Sequence, residues 1–165
     1  MTYETIILDI SGHIATITLN RPDAMNSFTK RMMDECAHAW RHIAETDDIH
    51  CAVLRAAPGR AFSTGVDVKA AMQPGGSVMH ENIWTAEDPG EKLGPKSNRC
   101  WKPVICAVHG MAAGGAFYWI NEADIVICSE DATFFDPHVT YGMTAALEPI
   151  GATYRMPLGD VLRMA

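Results

Sequence analysis

The stretch KPVICAVHGMAAGGAFY, residues 102–118, decides how this chain folds. Its run VICAV, residues 104–108, is short, apolar and rich in β-branched side chains. Pro103 and Gly110 bound it, which predicts a buried strand. Glycines follow at 110, 114 and 115, and an apolar segment at 116–120 predicts the start of a helix. A strand, a glycine turn and a helix start together present bare backbone N–H groups at a positive helix terminus. Such a place suits a phosphate, or the negative oxygen that develops on a carbonyl during reaction. The glycine spacing does not fit G-x-G-x-x-G, which argues against a dinucleotide turn.

Working outward, residues 3–10 and 13–19 alternate apolar and polar side chains about Ser11-Gly12, a hairpin signal. Thr29 is an expected N-cap for a long helix reaching about Glu45. Met32, Met33, Cys36, Ala37, Trp40, Ile43 and Ala44 recur there at helical spacing. The acidic residues Glu45, Asp47 and Asp48 read as a solvated turn after it. A short buried strand is expected at 51–54, then a glycine-bearing loop, AAPGRAFSTGVDVK, and a helical turn at 68–72. Residues 73–97, broken by Pro74, Pro89 and Pro95 and by four glycines, read as a long mobile surface loop. Strands are expected again at 125–128 and 133–135. A last helix, capped by Asp160, is expected in GDVLRMA. This alternation implies a mixed or parallel sheet layered with helices, an α/β fold.

Composition narrows the function. The chain has 165 residues, 48% of them apolar, enough for one sizeable core. A net charge of −7 excludes the broad basic patch that nucleic acid requires. No apolar run reaches the roughly 18 residues of a membrane span, and MTYETIILDI lacks a signal peptide's basic start. Five cysteines, odd in number and without a CxxC pair, read as reduced, buried thiols of a cytoplasmic protein.

Two sharper patterns carry little. His38 and His42 share a helix face but have no third ligand, so they read as a solvated face and no metal is expected. Ala61-Phe62-Ser63-Thr64-Gly65 imitates a nucleophile elbow without its first glycine or a matching triad order.

Three motifs then occur in one order: NRPDAMNSFT at 20–29, GRAFSTGVDVK at 59–69, and KPVICAVHGMAAGGAFYWINEADIVICSEDATF at 102–134. With them the chain resembles the enoyl-CoA hydratase/isomerase (crotonase) superfamily. The resemblance implies a crotonase-like spiral of ββα units over residues 1–165. These form the N-terminal part of the family's full length, without its C-terminal helical part. It implies an enzyme acting on an acyl-CoA thioester, enoyl-CoA hydratase-like. No cofactor is implied beyond coenzyme A within the substrate, and a homotrimer or dimer of trimers is expected. Carried over by position, the backbone donors of an oxyanion hole are Val66 and Gly115. Ala24, Met25, Ala61, Ser63, Gly65, Asp67, Gly114 and Tyr118 line the substrate site. The family's hydratases use two glutamates, but those positions hold Tyr118 and His138 here. A phenol with an ordinary pKa of about 10 is a poor base near neutrality, whereas an imidazole is suited to proton transfer. His138 and Glu148 are therefore the acid/base candidates. Isomerisation, thioester hydrolysis and non-catalytic acyl-CoA binding stand as alternatives.

Overall fold

The computed structural model describes residues 2–78, 84 and 88–165. Strands β1 (Ile6–Ser11) and β2 (Ile14–Leu19) form the expected hairpin, with Gly12 at φ +56° in its turn. Helix α1 (Lys30–Glu45) starts where Thr29 Oγ1 accepts a hydrogen bond from the Met32 N–H at 3.3 Å. Its apolar stripe, including Met32, Cys36, Trp40 and Ile43, is fully buried.

From there the chain repeats one device. Strands β3 (Cys51–Ala56), β5 (Val104–Val108) and β7 (Ile125–Cys128) extend the first sheet in parallel, in the order β1-β2-β3-β5-β7. Each is followed by a three-residue strand, β4 (Ala61–Ser63), β6 (Met111–Ala113) or β8 (Thr133–Phe135). These pair in parallel as a second sheet, β4-β6-β8. A helical segment then closes each unit: α2 (Val68–Ala71) with α3 (Gly90–Leu93), then α4 (Phe117–Glu122), then α5 (Leu147–Ala152). A last helix, α6, spans Leu158–Met164.

Two sheets thus replace the one expected. Residues 61–63 and 111–113 are strands where the sequence suggests only loop and turn. Part of the expected mobile loop at 73–97 is also different, because α3 lies there with Gly90 and Leu93 buried. The Leu93 carbonyl accepts from Trp40 Nε1 at 2.7 Å, and Tyr118 packs against Gly90. Residues 79–83 and 85–87 of that loop lie outside the described residues. Pro157, not Asp160, is the N-cap of α6, and Asp160 sits in its first turn. Cys36, Cys100 and Cys106 are buried as expected, but Cys128 is exposed.

The core between sheets and helices centres on aromatic rings. Trp119 of α4 meets Phe28 and Phe62 edge-on, with centroids 5.8 and 6.3 Å apart. All three are fully buried. Trp119→Ala is expected to cost about 3–5 kcal/mol through lost contacts and the cavity left behind. The denaturation midpoint in urea measures this, and a loss below about 1 kcal/mol would contradict the packing described.

Candidate active site

Three adjacent parallel strands end at one place, and each hands the chain to a candidate position. Ligands of open α/β sheets lie outside the carboxyl ends of such strands. After β4 come Thr64, Gly65 and Val66, and after β6 come Gly114 and Gly115. After β8 come Asp136, Pro137 and His138. Because β6 lies between β4 and β8, Val66, Gly115 and His138 are brought together in that order.

The two backbone candidates share a local design. Each follows a glycine in the left-handed region, Gly65 at φ +79° and Gly114 at φ +50°. Val66 bridges Phe28 in a parallel register. The Phe28 N–H donates to the Gly65 carbonyl at 2.8 Å, and the Asp67 N–H donates to the Phe28 carbonyl at 2.9 Å. In that register Val66's own N–H turns away from Phe28. Gly115 is the second residue of a 3-10 turn, Gly114–Ala116, whose first N–H groups have no partner within the turn. The two backbones nearly touch, since a Cβ at Gly65 would lie 2.9 Å from Gly115 N and 3.1 Å from the Ala113 carbonyl oxygen. At Gly115 a Cβ would lie 2.5 Å from the Phe28 ring. Glycine is required at both positions by space, and at Gly65 by conformation as well.

The flanking residues hold this pair in place. Arg21 binds Asp67 at 2.9 Å and also donates to the Ser27 carbonyl. Asp67 caps α2 through the Ala70 N–H at 3.0 Å. Burial raises the Asp67 pKa, but the Ala70 N–H and the Arg21 guanidinium outweigh it and hold the carboxyl below its ordinary value. Ser63 is fully buried, and its hydroxyl donates to the Asn26 carbonyl at 2.9 Å. Asn26 in turn donates through Nδ2 to the Ala61 carbonyl at 3.0 Å. Ala61 and Ser63 therefore fasten the loop rather than offer it polar atoms. Ala24 ends a 3-10 turn, and Met25 after it is left-handed at φ 51° and exposed.

The side-chain candidates form a second cluster beside the turn. A Cβ at Gly114 would lie 3.9 Å from His138 Cε1, so the imidazole borders the donor turn. Asp136 Oδ1 contacts His138 Nδ1 at 2.5 Å, and His138 Nε2 lies 3.9 Å from Glu148 Oε1. Glu148 is in the first turn of α5, is buried, and holds α4 through the Asn121 Nδ2 hydrogen bond to its carbonyl at 2.9 Å. Burial raises its pKa above the ordinary range. Its own backbone N–H and His138 oppose the rise, while Asp136 and Asp88 add to it. Tyr118 donates to Asp88 Oδ2 at 3.0 Å, and its ring touches the Gly90 and Gly115 positions. Burial first, then Glu148 and Asp88, push its phenol far above the usual value, so it is a neutral donor rather than a base.

Asp136, His138 and Glu148 offer ligand atoms within 4.8 Å of one another, the one such group among the described residues. His138 Nδ1 and Asp136 Oδ1 already engage each other, which leaves His138 Nε2, the Glu148 carboxyl and the buried Asp136 Oδ2. The cluster is better suited to moving protons than to holding an ion. His38 and His42 belong to no such group. His38 instead bonds the Tyr3 hydroxyl at 2.8 Å and lines an open groove of about 930 Å³ along α1, apart from this site.

Glu148 also sets a pH dependence. A carboxyl whose folded pKa is raised favours the folded state while it is protonated. That contribution is complete below its ordinary value of 4.5 and is lost as pH rises through the folded pKa. The melting temperature of the wild-type chain should therefore fall relative to Glu148→Gln as pH rises from 4.5 toward neutrality. Paired thermal melts across that window check it, and a constant difference would contradict it.

Asp88, and the contact of Asp136 with the His138 ring, are the parts that the sequence reading did not find. Asp136 carries a usable signal, an aspartate two residues before a histidine across a proline in a turn. Asp88 is thirty residues from Tyr118 and carries none.

A family model described as enoyl-CoA hydratase/isomerase matches residues 9–157. Among curated proteins, the chain is 32% identical over 152 residues to (E)-benzylidenesuccinyl-CoA hydratase of Thauera aromatica, covering 92% of this chain and 56% of that protein. It is 29% identical to the mitochondrial Delta(3,5)-Delta(2,4)-dienoyl-CoA isomerase of Mus musculus, covering 94% of this chain and 49% of that one. The fold superposes on the crystal structure of an enoyl-CoA hydratase/isomerase from Mycobacterium paratuberculosis with a TM-score of 0.86 and 38% identity. That match covers 99% of this chain and 62% of the other. The chain spans about half the length of the curated relatives it matches. Among the described residues, no helix is long and apolar enough to cross a membrane.

Proposed function

Because the chain belongs to the enoyl-CoA hydratase/isomerase family, with the crotonase-like α/β fold, we propose that it processes an acyl-CoA thioester through an enolate. The reaction proposed is hydratase-like. The observation that carries it is the Val66 and Gly115 pair, two backbone donors set side by side by glycines that tolerate no side chain. The Val66 and Gly115 N–H groups hold the thioester oxygen as it becomes negative, and losing one such donor costs about 3–4 kcal/mol of barrier.

The remaining steps fall to the second cluster. His138 Nε2 takes a proton from water as the water oxygen bonds to Cβ of an enoyl thioester. The π pair of the Cα–Cβ bond shifts into the Cα–carbonyl bond, and the carbonyl π pair moves onto the thioester oxygen, giving the enolate. Glu148, whose protonated form burial favours, delivers a proton to Cα as the enolate collapses. The proton on His138 then returns to Glu148, across the 3.9 Å between them, and water has been added. The addition involves no net oxidation or reduction, so coenzyme A within the substrate is the only cofactor the reaction needs. Ala24, Met25, Gly65, Asp67 and Gly114 border the thioester, and neutral Tyr118 fills the space beside it.

A steady-state assay with crotonyl-CoA and longer enoyl-CoAs tests this, with hydration as the expected result. No turnover together with no binding of any CoA ester overturns it. The reading next in line is isomerisation or thioester hydrolysis at the same site, supported by tyrosine where hydratases place a glutamate. Product analysis separates these. Tight acyl-CoA binding without any product would favour a non-catalytic binding protein. We place the chain in the cytoplasm, since five unpaired thiols suit a reducing compartment. We also propose that copies associate as trimers, because α5 and α6 expose Leu147, Ile150, Leu158 and Leu162.

A further inference from the structure

We propose that Asp136 is a positioning residue that holds the His138 imidazole with its proton on Nδ1, leaving Nε2 as the lone pair that the site uses. The proposal rests on the reading that His138 works beside the Gly115 turn, and three observations carry it.

The first is the double contact at one oxygen. Asp136 Oδ1 accepts the His138 backbone N–H at 2.9 Å and meets Nδ1 at 2.5 Å. A carboxylate oxygen accepts from the ring, so Nδ1 is the donor, and in the neutral imidazole Nε2 is then bare. The second is the isolation of the aspartate. Its side chain is only 3% exposed, and among the described residues its other oxygen, Oδ2, is buried without a hydrogen-bond partner. Among the described residues, His138 is thus the one hydrogen-bond partner of the Asp136 side chain. The aspartate is itself anchored, because its backbone N–H donates to the Met164 carbonyl of α6 at 2.9 Å.

The third observation is where Nε2 looks. Its 3.9 Å to Glu148 Oε1 is too long for a hydrogen bond. One oxygen at a hydrogen-bond distance of about 2.8 Å from both atoms would subtend about 90° between them, a geometry open to a bridging water. The groups facing the imidazole are therefore Asp136 from the β8 end and Glu148 from α5. Tyr118 of α4, itself bonded to Asp88, packs behind Glu148. Removing Asp136 frees the ring to take the other tautomer or to turn from the donor turn.

The test uses the full chain labelled with 15N-histidine, and two variants. Long-range 1H–15N correlations at a pH where the ring is neutral should place the His138 proton on Nδ1. Asp136→Ala should give a mixture of tautomers, lower kcat on the order of 100-fold, and leave KM within about threefold. Asp136→Asn keeps an oxygen for the His138 backbone N–H but can offer Nδ1 an amide N–H in place of an acceptor, and kcat should fall at least about tenfold with the melting temperature retained. A proton on Nε2 in the wild-type chain overturns the proposal, as does kcat within twofold of wild type in both variants. Should Asp136→Ala fail to fold, the wild-type tautomer and Asp136→Asn decide it. The tautomer is read without any substrate. Absence of turnover therefore defeats the acyl-CoA reading alone, and the role of Asp136 is still decided.

Discussion

Gly65→Ala is expected to lower kcat on the order of 10³-fold, because it disturbs both backbone donors at once. The new methyl would sit 2.9 Å from Gly115 N and 3.1 Å from the Ala113 carbonyl oxygen, both backbone atoms that no rotamer change can move aside. The residue would also have to hold φ near +79°, where an L side chain is strained. Either the β4 turn or the β6 turn must shift, and both donors lose the geometry that they owe to each other. Stability should fall too, by about 1–3 kcal/mol, as it does when extra atoms are forced into packed backbone. The two effects separate by measuring kcat well below the melting temperature of the variant. Full activity in a folded Gly65→Ala protein would mean that the paired donors do not bear the reaction.

His138→Gln should lower kcat by about 10²–10⁴-fold while leaving the fold and KM nearly unchanged. Glutamine can still hydrogen-bond Asp136, and the native ring is partly exposed, so little packing is lost. It cannot accept a proton near neutrality. Tyr118 cannot take over, since its phenol is held far above its usual pKa by burial and by its Glu148 and Asp88 neighbours. Among the described residues, Glu148 is the other acid/base candidate that lies beside His138. If His138→Gln and Glu148→Gln both keep full activity, neither side chain is catalytic. The reaction would then have to be sought elsewhere along the turn.

These expectations depend on parts of the chain that were unequally legible. Strand β5 and helix α1 can be read directly, because burial on one face leaves a period of two or of 3.6 in the residues, and Thr29 announces its cap. Strands β4 and β6 cannot. They are three residues long and built from Ala61, Ala112 and Ala113 among others, and their pairing comes from distant segments. Helix α3 is equally silent, a four-residue turn held by contacts with Trp40 and Tyr118 rather than by its own periodicity. Within the site, the two glycine turns are visible because only glycine meets their conformational demand. The convergence of His138 with Glu148 is not visible. It follows from β8 joining β6 and from α5 packing on α4, and neither leaves a local mark.

The most direct measurement is a crystal structure of this protein with a non-reacting acyl-CoA thioester. The account predicts the thioester oxygen within about 2.7–3.1 Å of both Val66 N and Gly115 N, with the His138 imidazole facing the Cα–Cβ bond. A thioester bound with its oxygen away from that pair, or bound only along the α1 groove, would contradict it.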